Sequence, residues 1–224
     1  MVGKFLRKYA YAFFPVIAAL VLNTTGYVLL GKHALIGPLH DFSIPLDHRI
    51  PLVPVFIFIY IGAFLQWAIG YLTAMAENPT FCYKAFSSEI YAKILALICF
   101  AAIPSTIIRP EVDGTGIACA LTRFVYAKDF AVNLFPSIHC LESWFCFRTA
   151  MAEHRPGWYK AAMAVMTVLV CLSVVFVRQH VIVDIIGGIA VMEIGFLIAR
   201  RWDLSWIFHR IGRKVYQKLT ELMD

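Results

Sequence analysis

Charge is what this chain has least of. Of its 224 residues only 15% are Asp, Glu, Lys or Arg, while 61% are apolar and the mean hydropathy is +0.74. A soluble domain carries about 25% charged residues to cover its water-facing surface, so an ordinary water-soluble protein is excluded. The low hydrophobicity of disordered chains is missing too, which excludes that class. The six cysteines, at 82, 99, 119, 140, 146 and 171, form no C-x-x-C pair. Neither a zinc ribbon nor a dithiol redox motif is therefore indicated, and buried, inert thiols are expected. A cleavable leader is lacking as well. Lys4, Arg7 and Lys8 precede the first apolar stretch, but that stretch is too long for a signal peptide, and Asn23-Thr24-Thr25 is no small-residue cleavage site. It reads as a retained anchor. Repeats and low-complexity segments are absent.

What is present is a series of apolar stretches, at about 9–30, 52–75, 90–108, 161–177 and 181–199, with a shorter and more polar one at 137–151. A membrane-crossing helix needs about 20 apolar residues. The expectation is a single integral-membrane domain over residues 1–224, all-α, a six-transmembrane-helix bundle. With the N-terminus in the cytosol, fourteen of the twenty Lys and Arg fall on the inner side, among them Lys84, Lys93, Arg148, Arg155, Lys160 and six in the tail. Basic loops mark the cytoplasmic side, so both termini are expected there. The net charge of +6 then reads as topology rather than as a nucleic-acid surface. The tail, residues 201–224, places Trp206, Ile207, Ile211, Val215, Leu219 and Leu222 on one helical stripe beside basic residues. A basic amphipathic helix on the inner leaflet fits, as does a stop-transfer charge cluster with a helical tail.

Six basic residues remain outside: Lys32, Arg49, Arg109, Arg123, Lys128 and Arg178. Threading by charge brings three polar clusters to that same face: Pro104-Ser105-Thr106-Ile107-Ile108-Arg109-Pro110, Phe135-Pro136-Ser137-Ile138-His139-Cys140, and Arg178-Gln179-His180-Val181-Ile182-Val183-Asp184. Ionisable groups at membrane depth are expensive and mark function. His180 and Asp184 stand at i and i+4, on one helix face, where the carboxylate can accept the imidazole Nδ1–H and leave Nε2 as nucleophile or base. Gly187-Gly188, one turn further, permits close approach of a neighbouring helix. Ser137 suits the N-cap of a short helix, and His139 at its opening could protonate a leaving-group oxygen. Arg109 and Arg178 offer guanidinium forks that match phosphate oxygens, or they snorkel to outer headgroups. Arg123 and Lys128 are weaker candidates. Glu142, one turn past His139, shares the pocket or sits in a polar bundle interior. His33, His40 and His48, with Asp41 and Asp47, match no compact metal motif and read as loop or headgroup contacts. Nearby arginines would repel a cation, so the set reads as an anion site with no metal.

These clusters resemble the signature motifs of the type 2 phosphatidic acid phosphatase (PAP2) superfamily. Pro136-Ser137-Ile138-His139 is similar to its Pro-Ser-Gly-His motif, with Ile in place of Gly. Ser173, His180 and Asp184 stand at the spacings of Ser-Arg-x5-His-x3-Asp, with Val174 at the arginine position. Arg109-Pro110 matches the end of Lys-x6-Arg-Pro, with Ala102 at the lysine position. The departures look more like the branch containing inositol phosphorylceramide synthase and the sphingomyelin synthases, where a basic-Gln-His triplet precedes the aspartate. The resemblance implies that His180 attacks phosphorus and is oriented by Asp184. It implies that His139 protonates the departing alcohol and then activates water or a hydroxyl acceptor. Arg109, Arg178 and Ser137 would hold phosphoryl oxygens, with no cofactor. The expected protein is an extracytoplasmic-facing lipid phosphatase of a bacterial cell membrane. Headgroup or phosphate transfer at the same site is the alternative, and a lipid or ion transporter is the non-enzyme rival. Its expected partners are a lipid phosphate or phospholipid and the bilayer, not nucleic acid.

Overall fold

The computed structural model describes the backbone of residues 2–34 and 36–221, and the side chains of 9–32, 34, 36–212 and 214. Eight α-helices lie among the described residues: α1 (Val2–Ala34), α2 (Ile57–Glu77), α3 (Pro79–Ala102), α4 (Ile117–Lys128), α5 (Ile138–Ala150), α6 (Gly157–Phe176), α7 (Ile182–Arg201) and α8 (Ser205–Glu221). Five of them, α1, α2, α3, α6 and α7, are long and apolar enough to cross a membrane. Their outward faces carry Ile17, Val21, Leu29, Phe58, Leu65, Leu72, Ile98, Val168 and Leu197, all exposed. An apolar belt of this extent marks an interaction surface rather than a wet one, and together with the five helices it identifies an integral membrane protein.

The stretch at 137–151 becomes α5, whose 13 residues rise only about 20 Å at about 1.5 Å per residue. It is shorter than a crossing helix because it meets protein rather than lipid. It packs against α2, α6 and α7, and buries Cys140, Leu141, Phe145 and Cys146. α3 also departs from expectation, beginning at Pro79 rather than near 90. The Asn78 side chain accepts the Phe81 N–H at 2.9 Å and caps the helix, with proline in its first turn. Beyond α3 the chain leaves the helix, and Ser105–Thr106 (β2) pairs in parallel with His40–Asp41 (β1).

The early start of α3 overturns the reading of Lys93 as a cytosolic marker. Lys93 is fully buried, with Nζ 2.5 Å from Glu89 and 2.8 Å from Glu142. It also donates to Tyr71 Oη at 3.0 Å and to the Ala19 carbonyl at 3.2 Å. Charge pairing in the interior explains this lysine, which therefore carries no topology signal. Glu142 accordingly belongs to the bundle interior, where it also accepts from Tyr71 at 2.9 Å.

α8 packs on α1 and α3. Its buried edge is led by Phe208, between the rings of Phe14 (6.0 Å) and Tyr83 (5.6 Å). Trp206, expected on the apolar stripe, is exposed, and Val215, Leu219 and Leu222 lie outside the described side chains.

Candidate functional site

One end of the bundle gathers the loop of residues 103–116, the start of α5 and the start of α7. Ser105, buried beside the short parallel pair, accepts the N–H groups of Leu134 (2.9 Å) and Phe135 (2.7 Å) through Oγ. That fixes the approach to the cis Phe135–Pro136 bond. Ser137 then caps α5, its Oγ accepting the Cys140 N–H, and its own N–H donates to the Asp184 carbonyl at 3.0 Å. α5 and α7 are thereby joined at their first turns. The expected close approach at Gly187-Gly188 is present, with the Phe135 ring against Gly187 and the Ser137 carbonyl against Gly188.

α6 ends in a tight turn that delivers His180. Arg178 adopts the left-handed conformation (φ 52°), and the N–H groups of Gln179 and His180 both donate to the Val174 carbonyl, at 2.9 and 3.0 Å. Val174 is fully buried, and its backbone carbonyl rather than its side chain organises the turn. The Asp184 carboxylate accepts from His180 Nδ1 at 3.2 Å and from the Val181 N–H at 3.1 Å through one oxygen, Oδ2. This pairing leaves Nε2 as the free nitrogen of His180.

His139 sits across from it, with ring centroids 6.4 Å apart. His139 is clamped by aromatic rings: Tyr60 stacks at 4.1 Å, Trp67 lies at 5.0 Å and Phe64 meets it edge-on at 5.9 Å. Its Nε2 is buried without a hydrogen-bond partner. Both histidines line a cavity of about 430 Å³ whose wall is mainly apolar, with Tyr27, Tyr60, Phe64, Trp67 and Phe124 among it, and which also holds Asn23, Lys128, Asp129 and Asn133. That volume lies within the range of about 300–1,000 Å³ common for ligand sites.

The residues expected to hold phosphate lie behind this wall. Arg109 donates to the Asp129 carbonyl and to Gln179 Oε1, and stands 3.9 Å from the Asp129 carboxylate and 4.9 Å over the Tyr126 ring. Arg178 donates to the Asp47 carbonyl. Ser137 is fully buried in its capping role. None of the three is among the cavity-lining residues. Arg109 reaches the His180 turn indirectly, through Gln179, the residue before His180. Tyr126, in α4, donates to the Val177 carbonyl at 2.8 Å. Burial pushes its hydroxyl up to about 12 against the pull of Arg109 and Arg178, so it remains a donor near neutral pH.

Three contributors were missed from the sequence. Asp47, assigned to loop or headgroup contacts, is buried; its carboxylate accepts the N–H groups of Ile44 and Ile182 at 2.9 Å each and so pins the first outer loop to the start of α7. No spacing signal reveals a pairing across more than a hundred residues. Gln179 lay inside the quoted triplet without a role. The Tyr60, Phe64 and Trp67 wall shares one face of α2, where helical spacing reads equally as lipid-facing. Among the described residues no group of three or more His, Cys, Asp or Glu side chains gathers as a metal-ligand set. No family model matches the chain, and searches of curated proteins and of solved structures return no match.

Proposed function

We propose that this protein is a membrane enzyme that transfers the phosphoryl group of a lipid phosphate to water at the extracytoplasmic face. In this reading α5 completes a six-crossing bundle with both termini cytosolic. The observation that carries it is the pairing of His139 and His180, delivered by separate helices to one apolar cavity, with His180 oriented by Asp184 at 3.2 Å. The motif resemblance to the PAP2 superfamily supports the same assignment of roles.

His180 Nε2 attacks phosphorus, and the bond from phosphorus to the lipid alcohol oxygen breaks as His139 donates a proton to that oxygen. Asp184 holds the ring in the tautomer with Nε2 free and stabilises the positive charge that develops on it. Neutral His139 then takes a proton from water, which attacks phosphorus and breaks the N–P bond, releasing phosphate. Positioning and electrostatics dominate phosphoryl transfer, and an apolar wall strengthens both.

A second reading, transfer to a lipid or sugar hydroxyl, is favoured by the cation count. Arg109 and Arg178 are committed to protein acceptors, and the Asp129 carboxylate on the cavity wall faces Arg109 at 3.9 Å, leaving Lys128 as the cation there. One cation balances the single charge of a phosphodiester better than the two of a monoester. The test is phosphate release, or headgroup transfer to added diacylglycerol, by purified protein in detergent containing a chelator. His180→Ala should abolish activity and the acid-labile phosphoenzyme. His139→Ala should slow turnover by about 10²–10⁴-fold, the usual contribution of a general acid. Undiminished activity in His180→Ala rejects the mechanism.

A further inference from the structure

The end of the bundle opposite the histidines holds a second cavity, of about 490 Å³, bordered by the first turns of α3 and the last turns of α5 and α7. Its cations come from three separate segments: Lys84, Arg148 and Arg200. Arg148 is held in place, pairing with Glu193 and lying 4.9 Å over the Phe196 ring. Lys84 and Arg200 are exposed, and among the described residues their side chains make no hydrogen bond or ion pair. Glu193 offsets one charge, so the rim keeps two uncompensated positive charges. The N-terminus of α3, the positive end of a 24-residue helix dipole, lies on the same rim with Thr80. Below the rim, Phe81, Ala85, Phe196 and Ala199 supply an apolar wall.

From Ile182 to Arg200, α7 rises about 27 Å at about 1.5 Å per residue, so no single ligand bridges this cavity and the histidines. A cationic rim above an apolar wall, at headgroup depth, has the chemistry of an anionic phospholipid. The guanidinium and ammonium groups meet the phosphate, and acyl carbons follow the phenylalanines. We propose that this cavity binds the phosphate-bearing headgroup of an anionic lipid from the leaflet opposite the histidine site. The proposal takes from the proposed function only the orientation of the bundle, and binding is read without turnover. Basic residues scattered through the sequence as topology markers thus converge, in three dimensions, on one pocket.

The test uses full-length protein in phosphatidylcholine nanodiscs carrying a trace of pyrene-labelled phosphatidylglycerol, read by energy transfer from tryptophan and competed with unlabelled phosphatidylglycerol. Lys84→Gln with Arg200→Gln should weaken phosphatidylglycerol binding by about 10- to 30-fold, from the usual worth of two basic groups near an anionic headgroup. The charge-matched control, Arg210→Gln with Lys214→Gln on α8, should change it less than about threefold. Equal weakening by both pairs, or none by the first, overturns the proposal in favour of diffuse surface attraction. Millimolar inorganic phosphate should leave the lipid in place; complete displacement would make this a free-phosphate site and overturn the lipid assignment.

Discussion

Replacing Gly188 with alanine is predicted to cost activity out of proportion to stability. A β-carbon at 188 would lie 2.5 Å from the Ser137 carbonyl oxygen, 3.1 Å from Cys140 Cβ and 3.2 Å from the Leu141 amide nitrogen. Two of these atoms are backbone, so no side chain can swing aside. Ordinary contact begins at 3.4 Å, and the first turn of α5 must therefore retreat from α7 by about 0.9 Å. His139 rides on that turn, whereas His180 and Asp184 belong to α7 and its approach. Misplacing reacting groups by about 1 Å costs about 100-fold in rate, and overpacking costs about 1–3 kcal/mol in stability. Gly195→Ala is the matched control. Its β-carbon would fall 2.3 Å from the Ser88 carbonyl, the same kind of collision, but between α7 and α3 and two turns further from the histidines. Both variants should lower Tm to a similar extent, while only Gly188→Ala should lower kcat by about 100-fold. Phosphate release from a lipid phosphate in micelles, measured beside thermal denaturation, makes the comparison. A Gly188→Ala enzyme whose kcat stays within about threefold of the Gly195→Ala control would refute the idea that interhelix spacing sets His139 against His180.

Two further predictions concern buried charge. Lys93→Met leaves Glu89 and Glu142 facing one another in the interior, and should destabilise the fold by about 3–5 kcal/mol, the usual cost of orphaning a buried charge. Adding Glu89→Gln and Glu142→Gln should recover most of that loss, and thermal denaturation of the single and triple variants checks it. Asp47→Ala strips two N–H groups of their acceptor, and each buried unsatisfied donor costs about 1–3 kcal/mol. Because Ile182 opens the helix that carries Asp184, kcat should fall in Asp47→Ala while KM changes little. A change confined to KM would show that the loop only shapes the entrance.

Local patterns made much of this molecule legible in its sequence. The helices α1, α2, α6 and α7 follow runs of apolar residues, and His180 pairs with Asp184 at the i, i+4 spacing, although His180 lies in the turn before α7 and not on its face. Ser137 as a cap and Gly188 as a contact point are likewise local signals. What stayed hidden depends on partners distant in sequence. Lys93 looks like a basic residue at the inner end of a span until Glu142, on another helix, is brought against it. Arg109 and Arg178 carry the right chemistry for phosphate, yet the fold turns their donors toward Gln179, Asp129 and Asp47. No composition rule states which acceptor a guanidinium will find. The start of α3 was legible after all, since Asn78-Pro79 is a capping signal, but the polar residues Lys84, Glu89 and Lys93 masked the helix that follows.

The shortness of α5 bears on how the chain enters a bilayer. At about 20 Å it cannot span a hydrocarbon core of about 30 Å alone, and Glu142 further opposes its insertion. A charged residue at the centre of an inserting helix costs about 2.5–3.5 kcal/mol. Glu142 finds its counter-ion on α3, already synthesised, but Arg148 finds Glu193 only on α7, which emerges from the ribosome some forty residues later. A nascent chain halted after α5 therefore has only part of the protein surface that this segment packs against, since α6 and α7 are still to come. Translation order becomes assembly order: His139 waits on its helix until the chain has reached α7 and brought His180 against it.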